Sequence, residues 1–149
     1  IGLPVTMREE VRAFSIVTGA TADGEPDLDW VSLAKSDAAF AIYMGVNNAP
    51  TLRANLVAAG ADPATRVVIV EKGTLADERA IATTLRDLTD CIAEKGIKGP
   101  AVIFVGLDWA DAGLTQPARI ETYERARSPA KLKDFFTSYA SSPAAEVEL

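Results

Sequence analysis

The stretch that decides the fold runs from Ala39 to Gly60 and reads AFAIYMGVNNAPTLRANLVAAG. Its first part is apolar and contains aromatic and β-branched residues, which predicts a strand that ends at Met44. Asn48 is a predicted N-cap for a helix from Ala49 to Ala59, where two leucines lie four residues apart and a glycine follows. A strand that leads through a short turn into a helix is typical of an α/β fold.

Four other segments have the composition of strands, and two have that of helices. The predicted strands are Ala13 to Gly19, Arg66 to Glu71, Glu78 to Thr83 and Ala101 to Val105, and the predicted helices are Trp30 to Lys35 and Leu85 to Glu94. We expect the strand from Ala13 to Gly19 to be buried. The strands from Arg66 to Glu71 and from Ala101 to Val105 are expected to be buried on both faces. Together the elements predict an α/β fold with a mixed, mostly buried sheet flanked by helices, in which one or two strands are antiparallel.

The composition narrows the classes of function. The chain has 149 residues and a formal net charge of −6, and its Lys and Arg residues are scattered, so no nucleic-acid partner is expected. No apolar run is long enough to cross a bilayer, so no membrane partner is expected either. The single cysteine, Cys91, excludes an internal disulfide and suits a cytoplasmic location. The chain contains no histidine, the commonest general base and metal ligand.

No metal site is expected from the acidic residues. Asp27 and Asp29 lie two apart in a polar segment, a spacing that occurs in hard-cation sites. Turn formation and capping of the following helix explain the two carboxylates better.

The character of the chain changes beyond Leu114. Residues 115–127 are polar and are predicted to form a loop. Ser128 and Pro129 then begin a predicted amphipathic helix with an apolar stripe. We therefore expect one domain over residues 1–114, and a polar connector with a tail helix over residues 115–149.

The turn at Met44 and Gly45 is the first candidate binding site. In open α/β sheets, ligands collect beyond the carboxyl ends of strands, where loops lead into helix N-termini. Gly45 allows a ligand to approach the backbone, and the Met44 thioether would pack well against a flat heteroaromatic ring. The alternative is that Met44 fills an irregular gap in the core.

The segment from Glu71 to Arg79 is the second candidate, because it places Gly73 in a turn after another strand. Glycines at two neighbouring strand ends would form two sides of one crevice, although a hairpin-like turn with a surface arginine explains the same residues. Arg8 has a planar fork that fits a substrate carboxylate, but an isolated arginine is also common on protein surfaces. No candidate places a nucleophile beside a base, so the catalytic residues are not assigned.

Six short motifs occur in a fixed order along the first two thirds of the chain. They are IGLPVTMR at residues 1–8, VTG at 17–19, LDW at 28–30, IYMG at 42–45, VEKGT at 70–74 with Arg79, and GPAVI at 99–103 with VG at 105–106. In this order they resemble the C-terminal half of the tetrapyrrole methylase family. The resemblance is greatest to the uroporphyrinogen-III C-methyltransferases, which include the methylase module of sirohaem synthase.

The resemblance implies a function and a site. Enzymes of this family are homodimers that bind S-adenosylmethionine in the cleft between two α/β domains and methylate uroporphyrinogen III to precorrin-2. The matching motif positions imply that Met44 contacts the cofactor, that Gly73 lies against its adenosine part, and that Ala101 lines the site through its backbone. Arg8 is the expected substrate-binding residue.

The departures from the family pattern leave alternatives open. Met7 and Ala20 stand where the family usually has histidines, and Glu78 stands where it usually has glutamine. No stretch matches the family's N-terminal half, so we expect this chain to supply one half of the cofactor cleft and to be inactive alone. One alternative is a non-catalytic dimerisation or binding module derived from that domain. Another is a methyltransferase with a different acceptor.

Overall fold

The computed structural model describes residues 5, 11, 13–21, 26–35, 37–107 and 120–125. These residues form one sheet of six strands and three helices. The strands are β1 (Ala13–Thr18), β2 (Ala38–Tyr43), β3 (Arg66–Glu71), β4 (Arg79–Thr84), β5 (Ala101–Val105) and β6 (Ile120–Thr122). The helices are α1 (Trp30–Leu33), α2 (Ala49–Ala58) and α3 (Leu88–Glu94).

The sheet is mixed, with the strand order β1-β2-β5-β3-β4-β6. The two outer pairs, β1 with β2 and β4 with β6, are parallel, and the three inner pairings are antiparallel. The predicted α/β fold with a mixed sheet is confirmed. The expectation of one or two antiparallel strands was wrong, because three strands run in each direction.

Hydrogen bonds of the side chains and the backbone mark the first residues of the three described helices. The Asp29 carboxylate accepts the Ser32 N–H at 3.0 Å, which confirms it as the cap of α1. Hydrogen bonds from the Ser32 side chain and N–H lower the pKa of Asp29. Asn48 precedes α2 but makes no capping bond; its Nδ2 donates instead to the Gly19 carbonyl at 2.8 Å. Helix α3 begins at Leu88 rather than at Leu85, because the N–H of Leu85 bonds to a loop carbonyl.

The main core lies between one face of the sheet and the three described helices. Its largest fully buried members are Phe40, Ile42, Leu52, Leu56, Val67, Ile69, Ile81, Leu85, Leu88 and Ile103. A second cluster on the other face of the sheet contains Val68, Val70, Ala80 and Ala82. Strand β3 therefore contributes side chains to both clusters, as its unbroken apolar sequence predicts.

Two burial predictions need correction. Strand β1 is an edge strand, with Ala13, Ser15 and Ile16 exposed, so it is not a buried strand. Strand β5 buries Ile103 and Val105 on one face, while its other residues are only half-buried. An apolar composition does not distinguish a central strand from an edge strand.

The segment that was predicted to be a loop after residue 114 contains a strand. Strand β6 pairs with β4 in parallel, and the Tyr123 N–H continues the pairing by donating to the Ala82 carbonyl at 2.7 Å. The predicted tail helix lies outside the described residues, and the domain boundary stays a prediction. None of the described helices is both long and apolar enough to cross a membrane.

Candidate functional site

The three predicted cofactor residues lie along one end of the sheet. Strands β1, β2 and β3 run in the same direction and end there, while β5 and β4 begin there. Ala101 is paired with Glu71 on β3, and Met44 lies one residue beyond the pair formed by Tyr43 and Val102. Gly73 follows Glu71 by two residues. We call this end of the sheet the crevice edge; it brings Met44, Ala101 and Gly73 to the ends of three adjacent strands, β2, β5 and β3.

Met44 is exposed and has an unusual backbone conformation. Its φ angle is +54°, in the left-handed region that non-glycine residues rarely adopt. Its side chain is 63% exposed, so the alternative that Met44 fills a gap in the core was wrong. The left-handed turn places the thioether on the surface of the crevice edge, next to a buried glycine, Gly45.

Gly19 and Gly45 allow the ends of β1 and β2 to meet closely. A Cβ atom on Gly19 would lie 2.5 Å from the Gly45 Cα, which no side chain tolerates. The Gly19 N–H also donates to the Tyr43 carbonyl at 2.6 Å. The two glycines thus close one side of the crevice edge by direct backbone packing.

The turn between β3 and β4 forms the other side. Lys72 and Thr74 also have left-handed backbones, with φ angles of +53° and +71°. The Thr74 N–H donates to the Glu78 carboxylate at 2.7 Å, and the Lys72 ammonium pairs with Asp77, which raises the pKa of Lys72. Gly73 is exposed between them, and a Cβ there would make only ordinary contacts, at 3.5 Å or more. Gly73 is therefore exposed to solvent, with the Val70 and Glu78 side chains in ordinary contact range.

Glu71 was missed as a site residue by the sequence reasoning. Its carboxylate is buried at the end of β3 and accepts hydrogen bonds from Arg79 and from the N–H groups of Lys98 and Gly99. Burial favours a raised pKa, but these bonds to the charged form outweigh it and lower the pKa of Glu71. The available signal was the spacing of Glu71 and Arg79 across a hairpin.

The other candidate residues contribute no second site. Arg8 lies outside the described residues, so the structure gives it no place. Among the described residues no group of His, Cys, Asp or Glu could hold a metal ion. Cys91 is buried in α3, and burial raises the pKa of its thiol to about 12, so it is a core residue rather than a nucleophile.

Two depressions lie away from the crevice edge. A cavity of about 580 Å³ is lined by residues at the opposite end of the sheet, including Phe40, Leu56 and Val105. A polar depression of about 520 Å³ lies against α2 and α3 and contains Arg53 and Asp90. Neither is lined by Met44, Gly73 or Ala101.

Comparison with known proteins identifies the family. The model of the tetrapyrrole (corrin/porphyrin) methylases matches residues 1–89. The chain belongs to the tetrapyrrole methylase family. Among curated family members, it is 40% identical over 106 residues to a uroporphyrinogen-III C-methyltransferase of Priestia megaterium. It is 38% identical over 105 residues to a siroheme synthase of Pseudoalteromonas translucida. Each alignment covers 70% of this chain.

Solved structures of tetrapyrrole methylases have the same fold. The chain matches a cobalt precorrin-4 methyltransferase with a TM-score of 0.63 and 25% identity. It also matches the uroporphyrin-III C-methyltransferase of Thermus thermophilus in complex with S-adenosylhomocysteine, with a TM-score of 0.61 and 26% identity. Both matches cover 70% of this chain and 44% of the other. The chain spans 44% of the Priestia enzyme and 22% of the siroheme synthase.

Proposed function

We propose that this chain supplies one half of an S-adenosylmethionine site in an enzyme that methylates a tetrapyrrole. The observation that carries the proposal is the placement of Met44, Ala101 and Gly73 at the ends of adjacent strands at the crevice edge. The proposal gives each residue one role: Met44 contacts the cofactor through its thioether, Gly73 lies against the adenosine part, and Ala101 contacts it through the backbone. Family membership supports the choice of cofactor.

The chemistry of the crevice edge fits this cofactor. A polarisable thioether packs favourably on an aromatic ring, and Met44 offers its side chain to solvent. Gly73 is exposed and has no side chain, so a flat group could approach its backbone. The cofactor, when bound, supplies an electrophilic methyl group. The residues of this chain hold and orient it, and such positioning can supply a large part of the rate enhancement of a transfer reaction.

The acceptor and the assembly are finer parts of the proposal. We take the acceptor to be uroporphyrinogen III and the product to be precorrin-2, with Arg8 binding a substrate carboxylate. The name of the Priestia relative supports this acceptor. We further propose a homodimer in the cytoplasm, for which a single buried cysteine is suitable. In this proposal the chain supplies only one half of the cleft, so activity and any proton transfer require groups that it does not contribute.

A second candidate function is a non-catalytic dimerisation or binding module. The observation that favours it is the absence of histidine from the whole chain, including the two motif positions occupied by Met7 and Ala20. The exposed thioether of Met44 and its unfavourable backbone conformation favour the first proposal instead, because strained backbone conformations cluster at active sites and ligand clamps.

Calorimetric titration of S-adenosylhomocysteine into this chain tests the proposal. We expect binding that Met44→Ala weakens by about tenfold or more, which corresponds to ~1.4 kcal/mol. Val31→Ala is the matched control, because Val31 is exposed to a similar extent on α1. An equal loss in both variants would contradict the role of Met44. No detectable binding to the unmodified chain would contradict the proposed cofactor site and favour the second candidate.

A further inference from the structure

The buried carboxylate of Glu71 joins three segments at the crevice edge. Its Oε2 accepts from Arg79 Nε at 2.9 Å and from Arg79 Nη2 at 2.5 Å. Its Oε1 accepts from the backbone N–H of Lys98 at 2.9 Å and of Gly99 at 3.2 Å. One side chain thus connects the end of β3, the start of β4 and the loop that leads into β5.

Arg79 extends these connections to a helix. Besides pairing with Glu71, its Nη1 and Nη2 donate to the Lys95 carbonyl at 3.2 and 3.3 Å. Lys95 is the C-cap of α3, where carbonyl groups lack partners within the helix. The planar fork of arginine makes both sets of bonds at once, which a lysine cannot do.

The bonded segments carry the two backbone positions that we assign to the cofactor. Lys98 and Gly99 are followed by Pro100 and Ala101, so their N–H bonds to Glu71 fix the chain just before Ala101. The Lys72 N–H donates to the Pro100 carbonyl at 2.8 Å, and Lys72 immediately precedes Gly73. The distance between Gly73 and Ala101 is therefore set by this bond, by the pairing of β3 with β5, and by the bonds that the Glu71 side chain makes.

We infer that Glu71 and Arg79 are positioning residues that set the spacing of Gly73 and Ala101 for the cofactor. Neither side chain needs to touch the cofactor; both act through the backbone of the 98–101 segment. This inference rests on the proposed function, because it assumes that Gly73 and Ala101 line the cofactor site. A purely structural role would instead leave the affinity of the folded protein unchanged.

Three variants separate these roles. Glu71→Ala removes the acceptor of two N–H groups, and Glu71→Gln keeps an oxygen acceptor while removing the charge. Arg79→Lys keeps the charge and loses the fork. Val105→Ala is the matched control, because it removes buried contacts from the opposite end of β5.

Two measurements are made on each folded variant. Amide hydrogen exchange reports the Lys98 and Gly99 N–H groups directly, and calorimetry reports the affinity for S-adenosylhomocysteine. We expect Glu71→Ala to accelerate exchange at both amides and to weaken binding, each by about tenfold, the size expected when hydrogen bonds to a charged group are lost. Glu71→Gln should keep most of the protection of the two amides and most of the affinity. Arg79→Lys should give an intermediate loss, and Val105→Ala should change neither.

The outcomes distinguish this inference from the proposed function. If Glu71→Ala accelerates exchange at Lys98 and Gly99 while its affinity equals that of the unmodified chain, the positioning role is overturned and the proposed function stands. If affinity falls without faster exchange, the route through the backbone is overturned. If the unmodified chain does not bind S-adenosylhomocysteine, the proposed function fails, and the inference fails with it. Should Glu71→Ala not fold, Glu71→Gln and Arg79→Lys provide the same comparison.

Discussion

The two ends of the sheet differ in how the chain reverses direction. At the end opposite the crevice edge, which we call the far edge, the described residues with left-handed backbones are both glycines, Gly60 and Gly106. At the crevice edge, Met44, Lys72 and Thr74 also adopt left-handed conformations. Such a conformation costs a non-glycine residue about 1–2 kcal/mol. Among the described residues, the far edge thus has glycines in left-handed conformations, which cost glycine little. The crevice edge has non-glycine residues in the same, less favourable conformation.

The two edges also differ in what holds them together. At the far edge, backbone groups bond to one another, as when the Gly106 N–H donates to the Arg66 carbonyl at 2.9 Å. At the crevice edge, the buried carboxylate of Glu71 bonds to the Lys98 and Gly99 N–H groups in addition to such backbone bonds. Backbone strain and buried charge in one place are typical of sites that are selected for function rather than for stability.

The largest difference between the edges should come from adding one methyl group to a glycine. Gly19→Ala forces a Cβ against the Gly45 backbone, and we expect the free energy of unfolding to fall by about 3 kcal/mol. Gly60→Ala at the far edge meets no atom within 4 Å and costs only the left-handed conformation, about 1 kcal/mol. Urea denaturation measures both variants. Equal losses would mean that the strand ends at the crevice edge are not closely packed.

The next effect is a pH dependence of stability that arises from Glu71. The folded state lowers the pKa of this carboxyl group, so its contribution to stability is complete above the ordinary value of 4.5. The contribution is lost as the pH falls through the lowered pKa. Because Arg79 is partly exposed, we expect the hydrogen bonds of the Glu71 carboxylate to contribute about 1.5 kcal/mol to the free energy of unfolding.

Urea denaturation between pH 2 and pH 7 checks this prediction. The difference in unfolding free energy between the unmodified chain and Glu71→Gln should be greatest above about pH 4.5 and should shrink in acid. The subtraction removes the contributions of Asp29 and Asp77, whose pKa values are also lowered. A difference that stays constant with pH would show that the Glu71 charge does not stabilise the crevice edge.

A smaller and opposite effect is expected from relieving backbone strain. Lys72→Gly removes the cost of a left-handed residue and should stabilise the chain by about 1 kcal/mol. Lys72→Ala removes the same exposed ion pair to Asp77 but keeps the Cβ, so it should be neutral or lose a few tenths of a kcal/mol. Thermal unfolding of the two variants measures the difference. If both variants have the same stability, the conformation at Lys72 is not strained.

The smallest perturbation uses thiol labelling and leaves the fold unchanged. Met44→Cys places a thiol at the exposed position of the crevice edge, while Cys91 serves as an internal control. We expect the introduced thiol to react quickly with a maleimide, and Cys91, whose pKa is raised to about 12 by burial, to react only after unfolding. S-adenosylhomocysteine should slow only the reaction at position 44. If S-adenosylhomocysteine does not slow the labelling rate at position 44, Met44 does not contact the cofactor.

Much of the fold and of the candidate site follows from the sequence. Strand β3 and the turn from β2 into α2 were predicted, because an unbroken apolar run and a strand-to-helix turn are local signals. The motif order selected Met44, Gly73 and Ala101. The sheet register then placed them at the ends of the adjacent strands β2, β3 and β5. Their roles in binding remain predictions.

Other features depend on contacts that the sequence does not display. Strand β6 is three residues long, and its polar residues form a strand because β4 offers a free edge. The exposure of β1 follows from its position at the edge of the sheet. Glu71 is buried because Arg79 and two distant backbone N–H groups satisfy it, and only the three-dimensional structure brings them together.

The central claim is that the crevice edge, rather than the far edge, binds the cofactor. Two-dimensional amide NMR spectra recorded with increasing S-adenosylhomocysteine test it most directly, because both edges contain reporters in one sample. We predict that the amide signals of Gly45, Gly73 and Ala101 shift with a common saturation curve, while those of Gly60 and Gly106 stay in place. Shifts confined to Gly60 and Gly106, or no shifts at a saturating concentration of ligand, would contradict the account.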